Sequence, residues 1–380
     1  MVFLDNASTT KMYKESLGVL VNINENNYYN ASALYKCGVE SKNLLDSARV
    51  GILKDLGASL LDGLIFTSGA TESNNMIIRS FVRNKNAKYI FSMGEHPSVY
   101  NVAKELESQG YRICFIPLDK TGKVDENIFK KEMDSTTAFV SIMLVSNETG
   151  AINDIEKLVN YAKSVNPKVV FHTDAVQGFG KIPFKVSNLG VDALTLSAHK
   201  IHGPKGVWAL FVKNGLNIKP FILGGGQESN FRSGTENLAG IMAFAKASRL
   251  SQENLVKNYD KIEGLCNYFK KEVVQRIPNV VINSDESCSP YIISCSIPNV
   301  RAESILYMLE DRGFLIGNGS ACSSKKKDNR ILSNMGVPDY LIEGSIRISF
   351  SSFNEKKEIQ EFVIMLEQVV NDYLTNTNRR

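Results

Sequence analysis

Short apolar runs alternate with longer amphipathic runs between about residue 62 and residue 213, and this alternation constrains the fold more than any other feature. The apolar runs are rich in β-branched and aromatic residues and show little polar–apolar alternation, which is typical of strands covered on both faces. They are GLIFTSG, AKYIFSM, RICFIPL, AFVSIMLVS, KVVFHTD, DALTLSA and GVWALFV. Strands that alternate with helices predict an α/β fold built on a mainly parallel sheet.

The pattern changes near residue 235. One long helical pattern runs from ENLAGIM to EVVQRI, and strand, helix and loop segments follow it to the end of the sequence. A chain of 380 residues is longer than one ordinary core supports. We therefore expect a large domain over residues 13–250 and a smaller α+β domain formed by residues 1–12 and 251–380.

Composition narrows the range of partners. The net charge of +4 is small for this length and argues against a dedicated nucleic-acid binder. No apolar run reaches the roughly 18 residues that cross a bilayer, and no signal-peptide pattern is evident. Six scattered cysteines without a C-x-x-C pair are typical of cytosolic thiols. We expect a cytoplasmic protein with no direct nucleic-acid partner, no membrane partner and no metal site.

Polar side chains follow five of the predicted strands, at the point where each strand ends. The stretches are SGATESNN, GEHPSVYN, SNETG, TDAVQ and SAHK. In parallel α/β sheets, ligands bind at the carboxyl ends of the strands. If these strands are neighbours, their hydroxyl, amide, carboxylate and imidazole groups converge on one cleft.

Lys200 lies at one of these strand ends, beside His199. A lysine is a useful nucleophile only when desolvation or a neighbouring positive charge destabilises its ammonium form, and the end of a buried strand supplies desolvation. Its natural chemistry is a Schiff base with an aldehyde, and the commonest aldehyde cofactor is pyridoxal 5'-phosphate (PLP). The alternative is a surface lysine whose ammonium reaches water.

Other strand ends carry groups that match the parts of PLP. Asp174 would hold the protonated pyridine nitrogen, and its alternative role is to cap the following segment. Gln177 lies three residues later, where it would donate to the ring hydroxyl. The helix start in SGATES offers backbone N–H groups to a phosphate. Ser197 and His199 lie in the SAHK turn and would add donors to the same phosphate.

Two further residues have candidate roles with ordinary alternatives. His96, in GEHP, would stack its imidazole on the pyridine ring, although a lone histidine is more often structural. Arg347, in SIRIS, would clamp a substrate carboxylate with two parallel hydrogen bonds. The alternative for Arg347 is an exposed salt bridge.

Taken together, these motifs resemble those of the PLP-dependent cysteine desulfurases, in the nitrogen-fixation and iron–sulfur-assembly branch of the class V aminotransferases. The motifs are DNASTT, SGATESNN, EHPSV, SNETGAINDI, HTDAVQGFGKIP, SAHKIHGPKGVWAL, RSGTEN, GSACSS and SIRIS, in the family's order. Each motif is weak alone, and the set is specific. The resemblance implies the type I fold of PLP-dependent transferases.

The resemblance also implies a role for each matching residue. Lys200 is then the catalytic Schiff-base lysine, Asp174 the partner of the pyridinium and His96 a stacking group that also moves protons. The remaining matches are Ala70, Thr71, Ser197 and His199 in the phosphate cup, Gln177 near the ring hydroxyl, Asn147 at cofactor and substrate, Thr235 at the phosphate from the other subunit, and Arg347 at the substrate carboxylate. The role of Thr235 implies a homodimer.

Cys322 is the second catalytic residue that the resemblance implies. It lies in a stretch rich in glycine, serine and lysine, and the lysines at 325–327 should favour the reactive thiolate. In the family, the matching cysteine takes sulfur from L-cysteine as a persulfide, L-alanine departs, and the sulfur passes to an acceptor protein. The expected acceptor is an iron–sulfur scaffold or a tRNA-thiolation enzyme.

Other functions stay open at this point. The same fold supports other PLP reactions, such as those of selenocysteine lyases and aminotransferases, and an inactive scaffold could bind only the sulfur acceptor. A dehydrogenase is disfavoured because no G-x-G-x-x-G fingerprint opens the first βα unit. The chain also departs from the family at Tyr35, where many members have histidine, and at Ser229 and Asn230, which replace arginine and glycine.

Overall fold

The computed structural model describes the backbone of residues 1–318, 321–323 and 326–377, and the side chains of residues 1–318 and 329–376. The strands are β1 (Val2–Leu4), β2 (Gly63–Thr67), β3 (Lys88–Ser92), β4 (Arg112–Ile116), β5 (Thr137–Ser141), β6 (Val170–Asp174), β7 (Ala193–Ser197), β8 (Trp208–Val212), β9 (Val281–Ile282), β10 (Ile292–Ser296), β11 (Phe314–Asn318), β12 (Ala321–Ser323), β13 (Lys326–Asp328) and β14 (Ser345–Ser349). The helices are α1 (Lys14–Asn26), α2 (Lys36–Asp55), α3 (Ala70–Phe81), α4 (Pro97–Ser108), α5 (Glu126–Glu132), α6 (Ile155–Val165), α7 (Val186–Leu189), α8 (Leu238–Glu253), α9 (Leu255–Arg276), α10 (Ala302–Glu310), α11 (Arg330–Asn334), α12 (Asp339–Ile342) and α13 (Lys356–Thr377).

Seven of the described strands form the larger sheet, in the order β2-β8-β7-β6-β5-β3-β4. The pairs β7–β6, β6–β5, β5–β3 and β3–β4 are parallel. Strand β8 runs antiparallel to both β2 and β7. Parallel neighbours need crossover connections, and helices supply them here. The predicted mainly parallel sheet is confirmed, with β8 as its antiparallel member.

Helices cover both faces of the larger sheet. In β2, Leu64 and Phe66 pack into a core with α2 and α8, whereas Ile65 packs into a second core with α3 and α4. Successive side chains of a strand point to opposite faces, so one strand contributes to two cores. Strands β6 and β7 are buried at every residue, which explains why their sequences show no alternation.

A smaller sheet has the order β1-β11-β14-β10-β9 within the described residues. Strand β1 pairs in parallel with β11, beginning with Val2 opposite Phe314. Helices α9, α10 and α13 contribute Phe269, Ile305 and Phe362 to the core of this sheet. The first strand of the chain therefore belongs to a sheet whose other strands all follow residue 280.

The single long helix predicted after residue 235 is wrong in one respect, because the structure has two helices there. Helix α8 ends at Glu253 and α9 begins at Leu255, and Asn254 between them departs from helical geometry. The two helices carry similar amphipathic patterns, so periodicity alone does not reveal the break. None of the helices in the described ranges is long and apolar enough to cross a membrane.

Gly344, just before β14, packs directly against the backbone that follows β10, and this contact yields a prediction. A Cβ atom at this position would overlap the carbonyl oxygen of Ile297, which cannot turn aside as a flexible side chain would. We expect Gly344→Ala to lower the free energy of unfolding by about 1–3 kcal/mol, because the backbone must shift. The measurement is the midpoint of chemical denaturation.

Gly264→Ala is the matched control for this substitution. Gly264 lies in α9, is exposed and has open space around its Cβ position. Alanine favours the helix there and should raise stability by up to about 1 kcal/mol. Equal denaturation midpoints for Gly344→Ala and the wild type would contradict the assigned contact.

Candidate active site

A cavity of about 660 Å³ lies at the carboxyl ends of β3, β6 and β7. The smaller sheet also contributes to its wall, through Gly317 of β11 and Arg347 of β14. The predicted site residues that line it are Ala70, Thr71, His96, Asn147, Asp174, Gln177, His199, Lys200 and Arg347. Residues far apart in sequence thus share one cavity.

Three predicted site residues do not line this cavity with described side chains. Ser197 ends β7, is fully buried, and its Oγ has no hydrogen-bond partner among the described residues. Thr235 lines a separate cavity of about 150 Å³, together with Ser68 and Arg232. Cys322 lies in β12, but its side chain lies outside the described residues.

The ends of the strands position the cavity residues. Asp174 is the last residue of β6, and the register of the sheet pairs it with Thr195 of β7. His96 is the N-cap of α4, shortly after β3, and Ala70 opens α3 after β2. Because these strands end at the same edge of the sheet, the side chains that follow them meet there.

Lys200 extends into the cavity toward the N-terminal segment. Its Nζ donates hydrogen bonds of 2.6 Å to the carbonyl oxygens of both Ala7 and Ser8. Burial lowers the pKa of Lys200 to about 8, the Arg347 guanidinium acts in the same direction, and Asp5 and Asp174 oppose it. The ammonium of Lys200 is therefore easily converted to the neutral amine, unlike that of a lysine that reaches water.

Asp174 is a buried carboxylate held by neutral donors. Its Oδ1 accepts from the backbone N–H of Val176 at 3.0 Å, and its Oδ2 accepts from Asn74 Nδ2 at 3.0 Å. No described residue forms an ion pair with it within 4.0 Å. A buried carboxylate is costly unless it is paired with a cation, so this site favours a positively charged group in the cavity.

His96 is oriented by the start of its own helix. The Ser98 backbone N–H donates to its Nδ1 at 3.2 Å, and Ser98 Oγ lies 2.8 Å from the same atom. Desolvation in the cavity lowers the pKa of His96; Lys200, Arg330 and Arg347 also lower it, and Asp174 opposes them. The ring is therefore neutral at physiological pH.

One end of the cavity collects hydrogen-bond donors. Gly69, Ala70 and Thr71 line it at the start of α3, where the first backbone N–H groups have no partners within the helix. His199 also lines the cavity, with its Nδ1 3.0 Å from Thr9 Oγ1. Burial, assisted mainly by Lys200, lowers the pKa of His199 to about 3 and keeps the ring neutral. This end suits an anionic group.

Arg347 forms a mostly buried ion pair with Asp5. Its Nη2 donates to Asp5 Oδ1 at 2.7 Å, its Nη1 donates to the Asn147 carbonyl at 2.9 Å, and its side chain is 12% exposed. The buried Nε of Arg347 and Oδ1 of Asn147 have no hydrogen-bond partner among the described residues. Gly317 permits the close approach, because a Cβ there would lie 2.6 Å from Asp5 Oδ1.

Gln177 is held by hydrogen bonds with Ala7 and Lys181. Its Nε2 donates to the carbonyl of Ala7 at 2.9 Å, and its Oε1 accepts from Lys181 Nζ at 2.8 Å. Lys181 is almost fully buried, and burial lowers its pKa to about 7, with Lys200 and Arg347 acting in the same direction. The orientation of the Gln177 amide is thus fixed.

Sequence reasoning missed three residues that hold the site together: Asp5, Asn74 and Lys181. All three lie inside the motifs DNASTT, SGATESNN and HTDAVQGFGKIP. Asp5 and Lys181 are identifiable in the sequence as charged residues within motifs that are otherwise mainly polar or apolar. Asn74 gave no signal, because its contacts depend on the order of the strands.

Comparisons with known proteins agree over nearly the whole chain. Residues 2–362 match the family described as aminotransferase class-V. A curated relative, cysteine desulfurase IscS of Dictyoglomus turgidum, is 39% identical over 374 residues, which cover 97% of this chain and 94% of that protein. A solved structure described as a NifS-like protein has a TM-score of 0.91 at 32% identity, covering 97% of this chain and 99% of its own. A second, SspA in complex with cysteine, has a TM-score of 0.81 at 25% identity, covering 93% and 100%.

The low pKa of Lys200 yields a prediction. Arg347 lowers this pKa, so Arg347→Gln should raise it above the wild-type value of about 8. The amine then becomes reactive only at more alkaline pH. The measurement is the pH dependence of Lys200 labelling by an amine-directed reagent, followed on its peptide by mass spectrometry.

Arg232→Gln is the matched control, since Arg232 pairs with Glu72 and lines the separate cavity. The control should leave the labelling curve of Lys200 in place. A curve for Arg347→Gln that coincides with the wild type, or moves to lower pH, would refute the coupling.

Proposed function

The chain belongs to the aminotransferase class-V family and, within it, to the PLP-dependent cysteine desulfurases of the type I fold, and we propose how its own residues perform this reaction. The substrate is L-cysteine, and the products are L-alanine and a persulfide on Cys322. Binding of cysteine by the similar protein SspA supports the choice of substrate. The observation that carries the proposal is that the buried carboxylate of Asp174 and the low-pKa amine of Lys200 line one cavity.

The cavity residues fit PLP. Asp174 has neutral donors only among the described residues, and a pyridinium N–H would supply its missing cation. Ser197 Oγ and Asn147 Oδ1 are buried without described partners, so a phosphate and a further polar group of the cofactor or substrate would satisfy them. When bound, PLP supplies an electron-withdrawing ring that stabilises negative charge at the substrate α-carbon.

Each cofactor contact is assigned to a residue of the expected set. The phosphate would be held by Ala70, Thr71, Ser197 and His199, and by Thr235 of a second subunit. Asp174, His96 and Gln177 would hold the ring. Because both atoms of the Gln177 amide already have partners, its remaining N–H is the one that would face the ring hydroxyl.

Lys200 and His96 carry the protons in this proposal. With a pKa of about 8, a fraction of Lys200 is the neutral amine near neutral pH, and this amine accepts the proton from the α-carbon of L-cysteine. His96 is neutral and hydrogen-bonded at Nδ1, so its Nε2–H is the proton that it presents to the cavity. Arg347 and Asn147 bind the substrate carboxylate, for which the Nε of Arg347 is an available donor.

Cys322 receives the sulfur. Its thiolate attacks the sulfur of L-cysteine, an S–S bond forms, the C–S bond breaks, and the electron pair goes to the carbon that becomes the methyl group of alanine after protonation. Burial raises the pKa of Cys114, Cys266 and Cys288 to about 11 and that of Cys295 to about 12, so those thiols are poor nucleophiles. Their inertness supports Cys322 as the acceptor.

The persulfide is then passed to an acceptor protein in iron–sulfur cluster assembly or in tRNA thiolation. We propose a cytoplasmic homodimer, which the free thiols of Cys37 and Cys114 and the position of Thr235 outside its own chain's main cavity support. The proposed domains are residues 13–250, and residues 1–12 with 251–380. The pairing of β1 with β11 supports the assignment of the N-terminal strand.

The purified protein tests this function directly. Incubation with L-cysteine and a reducing thiol should yield alanine and sulfide in equal amounts, and the visible absorbance of bound PLP should change when cysteine is added. A protein that binds PLP but forms neither product would support another PLP reaction or an inactive acceptor-binding scaffold. A protein that cannot bind PLP would refute the proposal.

Cys322→Ser should separate cofactor binding from sulfur transfer. We expect normal PLP absorbance but at least a roughly 100-fold loss of alanine and sulfide formation, because the nucleophile is gone. Cys37→Ser is the matched control: it removes a partly exposed thiol of α2 and should keep wild-type turnover. Wild-type sulfide release by Cys322→Ser would exclude the assigned role.

Gly317→Ala should weaken substrate binding. The added Cβ would lie within 2.9 Å of Arg347 and 2.6 Å of Asp5, so the ion pair must move. We expect KM for L-cysteine to rise about tenfold or more, with a smaller change in kcat, because the carboxylate contact is present throughout the reaction. Steady-state kinetics check this, with Gly264→Ala as the control. An unchanged KM would argue against Arg347 as the carboxylate-binding residue.

A further inference from the structure

A continuous row of hydrogen-bonded side chains lies between helix α3 and the larger sheet. Its members are Ser141, His172, Thr195, Asn74, Ser98 and His96, with a branch from Asn74 to Asp174. Ser141, His172, Thr195 and Asn74 are fully buried. Buried polar groups are costly unless each has its partner, so the direction of every hydrogen bond is determined by its neighbours.

Asp174 fixes the orientation of the Asn74 amide. A carboxylate only accepts hydrogen bonds, so the atom that faces Asp174 Oδ2 at 3.0 Å must be the nitrogen of Asn74. The second N–H of the same nitrogen donates to Ser98 Oγ at 2.8 Å. Asn74 Oδ1 then accepts from Thr195 Oγ1 at 2.7 Å. Both N–H groups and the oxygen of the Asn74 side chain therefore have hydrogen-bond partners.

The direction continues into the sheet. The Thr195 hydroxyl donates its one hydrogen bond to Asn74, so its Oγ1 accepts from His172 Nε2, 3.1 Å away. His172 Nδ1 therefore accepts from Ser141 Oγ at 2.9 Å. Burial lowers the pKa of His172 to about 3, which keeps this ring neutral and the sequence of donors intact.

The direction also continues toward the cavity. The Ser98 backbone N–H donates to His96 Nδ1 at 3.2 Å, so that nitrogen carries no proton. Ser98 Oγ accepts from Asn74 and donates its own proton to the same Nδ1 at 2.8 Å. The single N–H proton of the neutral His96 ring is then on Nε2.

We propose that Asn74 is a positioning residue that orients Asp174 toward the cavity and, through Ser98, holds His96 in its Nε2–H form. This inference rests on the proposed function for the meaning of both residues. Asn74 itself does not line the cavity. It acts through Asp174 on the affinity for PLP, and through Ser98 on the proton that His96 presents.

Three substitutions divide these effects. Asn74→Ala removes both branches. Ser98→Ala removes the hydroxyl that links Asn74 to His96 and keeps the hydrogen bond from Asn74 to Asp174. Thr195→Val has nearly the same shape and removes the donor to the Asn74 oxygen. Ser73→Ala is the matched control: Ser73 is fully buried in the same helix, and its Oγ contacts Thr67 Oγ1 at 2.7 Å, outside the row. The PLP-loaded enzymes are compared.

The first measurement is the tautomer of His96, from ¹⁵N NMR of enzyme labelled at its histidines. The chain has only four histidines, and His96→Gln identifies the signals of His96 by their loss. In the wild type and Ser73→Ala we expect the Nε2–H form alone. In Ser98→Ala the preference for this form should fall about fivefold or more, since the hydroxyl that donates to Nδ1 is lost. In Asn74→Ala it should fall as well, since the Ser98 hydroxyl then has no donor from Asn74 and can instead accept from an Nδ1–H.

The second measurement is the dissociation constant of PLP. Asn74→Ala should raise it about tenfold or more, because a charge-assisted hydrogen bond to Asp174 is lost. Thr195→Val should raise it less, whereas Ser98→Ala and Ser73→Ala should leave it near the wild-type value. The PLP affinity therefore reports on the branch from Asn74 to Asp174, and the His96 tautomer reports on the branch through Ser98. A general loss of packing would not separate the two measurements in this way.

Wild-type His96 signals in Ser98→Ala, or wild-type PLP affinity in both Asn74→Ala and Thr195→Val, would overturn the inference. If Asn74→Ala does not fold, Ser98→Ala and Thr195→Val decide. Failure of the proposed function has a different signature: the wild type would bind no PLP or form no alanine, while its His96 tautomer would still test the hydrogen-bonded row.

Discussion

The carbonyl oxygen of Ala7 accepts hydrogen bonds from both Lys200 and Gln177, and the arrangement of the cavity depends on this contact. Ala7 follows β1, which belongs to the smaller sheet, whereas Lys200 and Gln177 follow strands of the larger one. The backbone N–H of Thr10 adds a bond of 3.0 Å to the carbonyl of His199. A short segment near the N-terminus thus joins both sheets and supplies hydrogen-bond acceptors to Lys200 and Gln177.

Three cationic side chains, Lys181, Lys200 and Arg347, interact electrostatically at this cavity. Lys181 and Lys200 have pKa values of about 7 and 8, below the ordinary value of 10.5, because burial and the other cations disfavour their protonated forms. Above about pH 7, these two lysines bind more protons in the unfolded chain than in the folded one. They therefore raise the free energy of unfolding as the pH rises from about 7 toward 10.5. An anionic ligand would offset the same penalty at lower pH, which couples binding to stability.

The sequence predicts much of this arrangement, and the exceptions have a physical cause. Alternating apolar and amphipathic runs predict the parallel sheet, and polar strand ends predict that His96, Asp174 and Lys200 share a cavity, as they do. Periodicity does not predict the antiparallel direction of β8 or the break at Asn254, since neither changes the apolar pattern. Partners such as Asn74 become evident only once strands and helices are neighbours. The chemical roles of the site residues stay predictions.

Helix α3 has the geometry to align several parts of the site at once. Ala70 opens this helix at the end of the cavity that suits an anion, and Asn74 lies four residues later on the same side of the helix. Asn74 in turn contacts Asp174 and, through Ser98, His96. If the start of α3 holds the phosphate, as proposed, the same helix would also orient the carboxylate of Asp174 and the imidazole of His96. Substitutions that tilt α3 should disturb all three contacts together, whereas changes at Ser98 reach only the imidazole.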